Sequence, residues 1–401
     1  MTELGEIPSE WEISKIGELT EIKTGGTPST KCEKYWKDGD IPWMASGDVN
    51  KKIINEVDGR ITKSGMENSA AKLLPKDTVM IALNGQGKTK GTVAYLNIEL
   101  TCNQSLAGFL PSYNVFNSKY LYYNLQSRYF EIRGLAGDGA RNGLNLGLLR
   151  EILIPIPSIK EQEKIASILS TVDEQIDNVD ALIEKNKELK KGLMQTLLTK
   201  GIGHTKFKKT EIGEIPEEWD VKKLECVFEI LDSMRKPIKA SDREKIEGNI
   251  PYYGASGVID WINDYIFDEE LILLGEDGEN LNSRNSDLAF KISGKTWVNN
   301  HAHVFRVINK KECNIDFMVY YLEAKDYSIY IAGSAQPKIT QAQCRKFLLP
   351  LPEKQEQDKI ASILLESDKK IEEYENKKQK LEELKKGLMQ ELLTGMIRVT
   401  V

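Results

Sequence analysis

The sequence is poor in the residues from which metal centres and disulfide frameworks are built. Only three histidines occur in 401 residues, and the five cysteines (Cys32, Cys102, Cys226, Cys313, Cys344) are odd in number, scattered and never spaced C-x-x-C. Neither a disulfide scaffold nor a zinc site fits that usage. No run of 18 apolar residues is present, which argues against a membrane-spanning helix. The opening MTELGEIPSEW has no apolar stretch of the kind an export signal carries, so the expected location is the cytoplasm, with no membrane partner. Catalytic signatures are missing too: there is no N-P-P-[YF], no glycine-rich cofactor fingerprint after a first strand, no G-x-S-x-G and no H-E-x-x-H. The expectation is a non-catalytic chain with no metal and no cofactor of its own.

What is present is ordinary for a globular protein: 40% hydrophobic and 29% charged residues. At this length a single core no longer grows, so two or more domains are expected. The net charge of −6 opposes a uniformly basic nucleic-acid binder. Charge is uneven, however. The stretch from Lys31 to Lys90 carries 11 Lys/Arg against 8 Asp/Glu, and KGIGHTKFKK from Lys200 to Lys209 is basic. Such patches suit phosphate contact and suit a solvated mixed-charge surface equally well.

The chain repeats itself. TELGEIPSEW (Thr2 to Trp11) recurs as TEIGEIPEEW (Thr210 to Trp219), and GDIPWMASG (Gly39 to Gly47) returns more loosely as GNIPYYGASG (Gly248 to Gly257). PIPSIKEQEKIASIL (Pro155 to Leu169) recurs as PLPEKQEQDKIASIL (Pro350 to Leu364), and LKKGLMQTLLT (Leu189 to Thr199) as LKKGLMQELLT (Leu384 to Thr394). Ile154 to Thr199 matches its second copy at 24 of 46 aligned positions, so the duplication is real. The offset falls from 208 or 209 to 195 between Val49 and Asn103, where the copies stop resembling each other. A duplicated frame with dissimilar middles suggests one operation performed on two different targets.

Each half closes on a long helical pattern. In the first, Ile165, Leu169, Val172, Ile176, Val179 and Ile183 step by four and three, followed by Asn186, Leu193 and Leu197. That is a coiled-coil seam. In the second, the row is Ile360, Leu364, Ser367, Ile371, Tyr374, Lys378, Leu381, Leu388 and Leu392. Glu161 to Thr199 would form a helix of about 58 Å at 1.5 Å per residue. The two stripes bury most simply against each other, and an intervening domain gives the second helix room to return antiparallel. Asn186 either fixes the register through a buried polar pair or marks where the seam opens to solvent. Prolines before each helix (Pro155, Pro157, Pro350, Pro352) impose an extended lead-in.

The middles read as mixed α/β. Strands are expected at Thr78 to Leu83, Thr92 to Asn97 and Leu106 to Pro111, then a helix around Lys119 to Ile132. The second set is Leu271 to Gly275, Thr296 to Asn300 and His303 to Ile308, then a helix around Phe317 to Ile331. Polar loops follow at Gly137 to Asn145 and Gly333 to Thr340. ALNGQGKT (Ala82 to Thr89) approaches a nucleotide-binding loop, but the β-branched pair Thr92 and Val93 stands where the phosphate-facing helix is required. A loop bearing Asn84, Gln86, Lys88 and Lys90 suits base edges and phosphates better. His301 and His303 share one face of a strand without a third ligand at suitable spacing. GEDGEN (Gly275 to Asn280) lacks the alternating pattern of a calcium loop and reads as a turn.

These features together resemble the specificity subunit of type I restriction-modification enzymes over essentially the whole chain. The marks are the GEIPxEW opening of each half, the IPxP-x(4)-EQxKIAxIL entry into each helix, the LKKGLMQxLLT close, and asparagine-bearing strands around Asn103 and Asn300. The resemblance implies an α+β architecture: two mixed α/β target-recognition domains joined by two long helices in an antiparallel coiled coil, with a pseudo-twofold internal duplication. Expected boundaries are 1–157 and 210–352 for the recognition domains, 158–201 and 353–401 for the spacer helices, and 202–209 for the linker. Implied partners are double-stranded DNA, two methyltransferase subunits and motor-nuclease subunits, with S-adenosylmethionine, ATP and magnesium bound by those partners. Each domain would read half of a split asymmetric target, with reader centres about one helical turn apart, roughly 34–36 Å. Family readers diverge with their targets, so the DNA-contact candidates rest on residue type and place. They are Asn84, Gln86, Lys88, Lys90, Asn103, Gln104, Arg141 and Asn142 in the first domain, and Ser256, Arg284, Asn299, Asn300, His301, Gln336 and Lys338 in the second. The competing readings are a coiled-coil scaffold without DNA readout and a nucleotide hydrolase built on Ala82 to Thr89.

Overall fold

The computed structural model describes residues 6–85, 87–137, 143–331 and 337–400. The chain forms two compact units, Met1–Asp180 with Asn376–Val401, and Ala181–Glu375. Four helices organise them: α1 (Ser118–Ser127), α2 (Ile159–Lys200), α3 (Ile315–Ala324) and α4 (Lys354–Leu393). Each long helix contributes one half to each unit.

The dissimilar middles share one topology. The first unit has a sheet ordered Ile22–Thr24, Leu106–Phe109, Val79–Ala82, Val93–Leu96, Ile53–Ile54, and the second has Phe228–Ile230, Ala302–Val307, Leu271–Gly275, Ala289–Ile292 in the same order. The first three pairings are antiparallel in both. A second sheet accompanies it in each unit, three-stranded in the first and four-stranded in the second, built around a parallel pair: Ile41–Met44 beside Thr101–Cys102, and Glu247–Gly254 beside Lys295–Val298. The strand Ala289–Ile292 was not among those expected from sequence.

The unbroken apolar runs VMIA and LILLG lie in sheets buried on both faces. Val79 and Ile81 join the core under α1, whereas Met80 and Ala82 join a second core on the other face. Ile272 and Leu274 against Leu271 and Leu273 divide in the same way. Period-two alternation therefore separates two apolar environments, which is why it is invisible as a polarity pattern. Each such side chain contributes roughly 1.5–3 kcal/mol of burial.

Helix starts follow from their caps. Asn117 Oδ1 accepts from Tyr120 N at 3.0 Å, and Asn314 Oδ1 from Phe317 N at 2.9 Å. The helix expected to reach Ile132 breaks at Arg128 (φ −104°, ψ 23°), after which a short helix runs Tyr129–Gly134. The one expected to reach Ile331 stops at Ala324.

The long helices pair antiparallel. In the first unit Asp173 meets Lys385 at 2.7 Å and Asp180 meets Lys378 at 2.7 Å. In the second Lys187 meets Glu375 at 3.1 Å and Lys190 meets Asp368 at 2.5 Å. Partner numbers fall on one helix as they rise on the other. Ile165, Leu169, Val172, Val179, Ile183, Ile360, Leu364, Ile371 and Leu392 are buried, and Ile176, Leu381 and Leu388 are half-buried. Asn186 is buried and donates to Leu182 O on its own helix at 2.7 Å, so its polar group is satisfied within the helix.

The recurring motifs build one joint twice. Glu161 accepts from the Trp11 indole at 3.3 Å and from Arg398 Nε at 2.7 Å; Glu356 accepts from Trp219 at 3.0 Å and from Ile202 N at 2.8 Å, with His204 Nε2 at 2.9 Å. The adjacent glutamines are fully buried. Gln162 accepts from Asn117 N and donates to Pro157 O, and Gln357 accepts from Asn314 N and donates to Pro352 O. The GEIPxEW and EQ segments are thus complementary halves of a polar lock between recognition domain and helix.

Candidate nucleic-acid interface

In the first unit the parallel pair Trp43↔Thr101, Met44↔Cys102 leads straight into a tight reversal. Asn103 N donates to Met44 O at 3.1 Å, and its side-chain Oδ1 accepts from Ser105 N at 3.0 Å. This Asx turn returns the chain into Leu106–Phe109. The segment after Ile22–Thr24 grips it: Gly26 N donates to Cys102 O at 2.8 Å, and a Cβ on Gly25 would lie 1.8 Å from that oxygen, so only glycine fits. Gln104, exposed at the turn's centre, accepts from Thr27 Oγ1 at 2.6 Å.

The second unit repeats this construction. Tyr252↔Trp297 and Tyr253↔Val298 are parallel, Asn299 N donates to Tyr253 O at 3.0 Å, and Asn299 Oδ1 accepts from His301 N at 2.8 Å. Asn300 stands exposed at the centre. The grip comes from Arg235, whose guanidinium donates to Ala302 O at 2.7 Å and to Glu276 at 2.6 Å.

Around this second turn lies a buried charge network. His303 Nδ1 donates to Asp232 at 2.6 Å and Nε2 donates to Ile339 O at 2.9 Å. Both partners only accept, so the ring carries both protons. Burial alone would depress His303, but the hydrogen bond to Asp232 and that carboxylate's charge, with hydrogen bonding to Cys344, outweigh it and bring the ring up to about 10. Burial likewise works to raise Glu276, and Lys338 (2.9 Å) and Arg235 hold it below the usual range. His301 contacts Asp277 at 2.9 Å.

Other candidates sit elsewhere. Asn84, Lys88 and Lys90 lie on the hairpin between Val79–Ala82 and Val93–Leu96, whose backbone is held by Tyr129 Oη to Lys88 O (2.9 Å) and Arg133 to Lys90 O (3.0 Å). A strand, not a helix, follows this loop, so the phosphate-cradling geometry of a nucleotide-binding loop is not formed. Leu144 N donates to Leu83 O at 2.9 Å, which places Leu144 beside the residue before Asn84. Ile339 N to Glu276 O at 2.8 Å is its counterpart and brings Lys338 to the second turn. Ser256 is exposed in the turn between Glu247–Gly254 and Gly257–Ile262. Arg284 donates to Glu323 O and lies over the Tyr327 ring, 5.8 Å from its centre. Gln86, Arg141, Asn142 and Gln336 lie outside the described residues. Thr27, Arg235 and Glu276 were not singled out from sequence, because nothing linear links residue 235 to 276 and 302.

Among the described residues no group of three or more His, Cys, Asp or Glu side chains forms a metal-binding cluster, and no helix is long and apolar enough to cross a membrane. Burial pushes the Cys102 and Cys313 thiols up to about 12, which keeps them protonated.

Two units of one topology, each presenting a rigid polar turn and joined through paired helices, define a duplicated recognition protein. The chain belongs to the type I restriction modification DNA specificity domain family, whose model matches residues 8–190 and 216–383. It is 26% identical to the type I restriction enzyme MjaIX specificity subunit of Methanocaldococcus jannaschii, covering 99% of this chain and 96% of that one. It is 29% identical to the putative MjaX specificity subunit of the same organism, covering 99% and 96%. Its fold is similar to the S subunit of a type I restriction-modification system from M. genitalium, at TM-score 0.63 and 19% identity over 98% of both chains.

Proposed function

We propose that this chain is the DNA-sequence specificity subunit of a type I restriction-modification complex, each unit reading one half of a bipartite, asymmetric target. The observation that carries this reading is the pairing of a repeated frame with divergent polar loops. Both units hold an Asx turn on the same parallel strand pair, yet present different side chains from it. Direct readout needs such side chains at base edges, while phosphate contacts supply affinity without sequence information. The paired helices set the spacing between half-sites and dock two methyltransferase subunits, through which motor-nuclease subunits join. The chain itself catalyses nothing. S-adenosylmethionine, ATP and magnesium belong to those partners, and the complex works on DNA in the cytoplasm.

The test is to co-express the chain with its host's candidate methyltransferase subunit and map methylated bases on genomic DNA by single-molecule sequencing, with the chain omitted as control. One interrupted, asymmetric motif present only with the chain supports the reading. A stable, active complex without chain-dependent methylation overturns it in favour of a scaffold that does not read DNA.

A further inference from the structure

The two Asx turns correspond atom for atom in their backbone contacts, although their sequences, CNQSL and VNNHA, share only an asparagine at the first turn position. In each, the asparagine N–H is taken by a carbonyl at the end of the strand that carries the recurring IP segment, that of Met44, its last residue, or Tyr253, its last but one. In each, that asparagine's own Oδ1 closes the turn, 2.8–3.0 Å from the N–H two residues on. Asn299 is only 5% exposed. The first asparagine of each turn is therefore structural, and the next residue is the one offered outward.

That next residue differs between the units. It is Gln104 in one and Asn300 in the other, both exposed. The grip from behind comes from the same segment, just after the strand Ile22–Thr24 or Phe228–Ile230, and uses the same backbone bond, Gly26 N to Cys102 O at 2.8 Å and Lys236 N to Val298 O at 3.3 Å, while the added side chains differ, Thr27 in the first unit and Arg235 in the second. One shared backbone bond, reinforced by unlike side chains, thus holds the same turn in both units. Rigid presentation of a carboxamide is what base-edge recognition needs, because Asn and Gln make paired hydrogen bonds to adenine N6 and N7 only when held in register.

Resting on the reading above, we propose that these turns are the equivalent base-reading elements of the two units, with Gln104 and Asn300 each reading an adenine edge in its own half-site. Asn103 and Asn299 are positioning residues that do not touch DNA.

The experiment uses the intact chain co-expressed with its methyltransferase partner, comparing methylation motifs for wild type, Gln104→Ala and Asn300→Ala. Gln104→Met and Asn300→Leu serve as second variants that keep the bulk and remove the amide. The expected result is relaxed preference at one position of one half-site for Gln104 variants and at one position of the other for Asn300 variants, by roughly 5- to 150-fold. Gap length and the remaining positions stay as in wild type. Variants that methylate the unchanged motif overturn this proposal while leaving the specificity reading intact, as do variants of both residues that alter the same half-site. A wild-type complex that methylates no interrupted motif overturns the specificity reading, and this proposal with it.

Discussion

Lys190 pairs with Asp368 at 2.5 Å, and the same aspartate accepts from Tyr320 Oη at 2.5 Å. One repeat away, Lys385 pairs with Asp173 at 2.7 Å, and Tyr123 Oη donates to that aspartate at 2.8 Å. The lysine ammonium also lies 5.4 Å from the tyrosine ring in both. Each triad ties one long helix to the other and to the recognition domain's own helix. Lys385 and Asp173 are mostly shielded, with side chains 12% and 26% exposed, so this pair holds more than an open surface bridge. Asp173→Ala is expected to destabilise the chain by about 1–3 kcal/mol through loss of both partners. A double-mutant cycle with Lys385→Met, followed by urea unfolding, should give a coupling of about 1 kcal/mol; additivity would show the triad to be incidental.

Glu356 serves three donors at the joint: the Trp219 indole, Ile202 N and His204. Glu356→Ala is expected to cost roughly 1–3 kcal/mol, because the buried Trp219 indole and the half-buried His204 lose their acceptor. Its exposed neighbour Glu353 makes no such contacts, and Glu353→Ala should stay within about 0.5 kcal/mol. Equal melting temperatures for the two variants would remove the joint from the account of stability.

The doubly protonated His303 makes the second unit sensitive to alkali. Its folded value, about 10, stands above the ordinary 6.5. Its stabilising contribution is therefore complete below about pH 6.5 and is lost as pH rises toward 10. Thermal midpoints measured from pH 6 to 10 should fall in wild type and fall less in His303→Gln. A wild-type curve as flat as the variant's would contradict the imidazolium assignment.

DNA contact separates into two experimental signatures. Lys88→Ala is expected to weaken binding of the assembled complex to all duplexes alike and to reduce the salt slope by about one unit. Gln104→Ala should alter base preference and leave that slope unchanged. Fluorescence titrations at several salt concentrations, on target and scrambled duplexes, separate the two, and a shared signature would remove the distinction.

Much of the frame was legible in the linear sequence. The seam residues from Ile165 to Ile183 announce a paired helix because its 3.5-residue period is local. The strands Val79–Ala82 and Leu271–Gly275 are visible as apolar runs bounded by polar turns. The strand Ala289–Ile292 escaped notice because its Lys291, paired with Asp316, interrupts the apolar run. Among the candidate contacts, Asn103, Gln104, Asn299 and Asn300 are chosen by residue type and by their place after a strand, which does not tell which amide faces outward.

By itself the sequence determined the duplication, the helical seam and the unequal middles, since identity and periodicity need no third dimension. It also contained Trp11, Trp219, Glu161 and Glu356 as repeated letters, without showing that they are partners 150 and 137 residues apart. Only the tertiary structure decided that the two middles share one topology. Topology depends on which apolar runs meet across the sheet, and quite different residues satisfy the same burial. The division of labour within each Asx turn was likewise decided there, because an asparagine is structural or free according to where the next N–H lies.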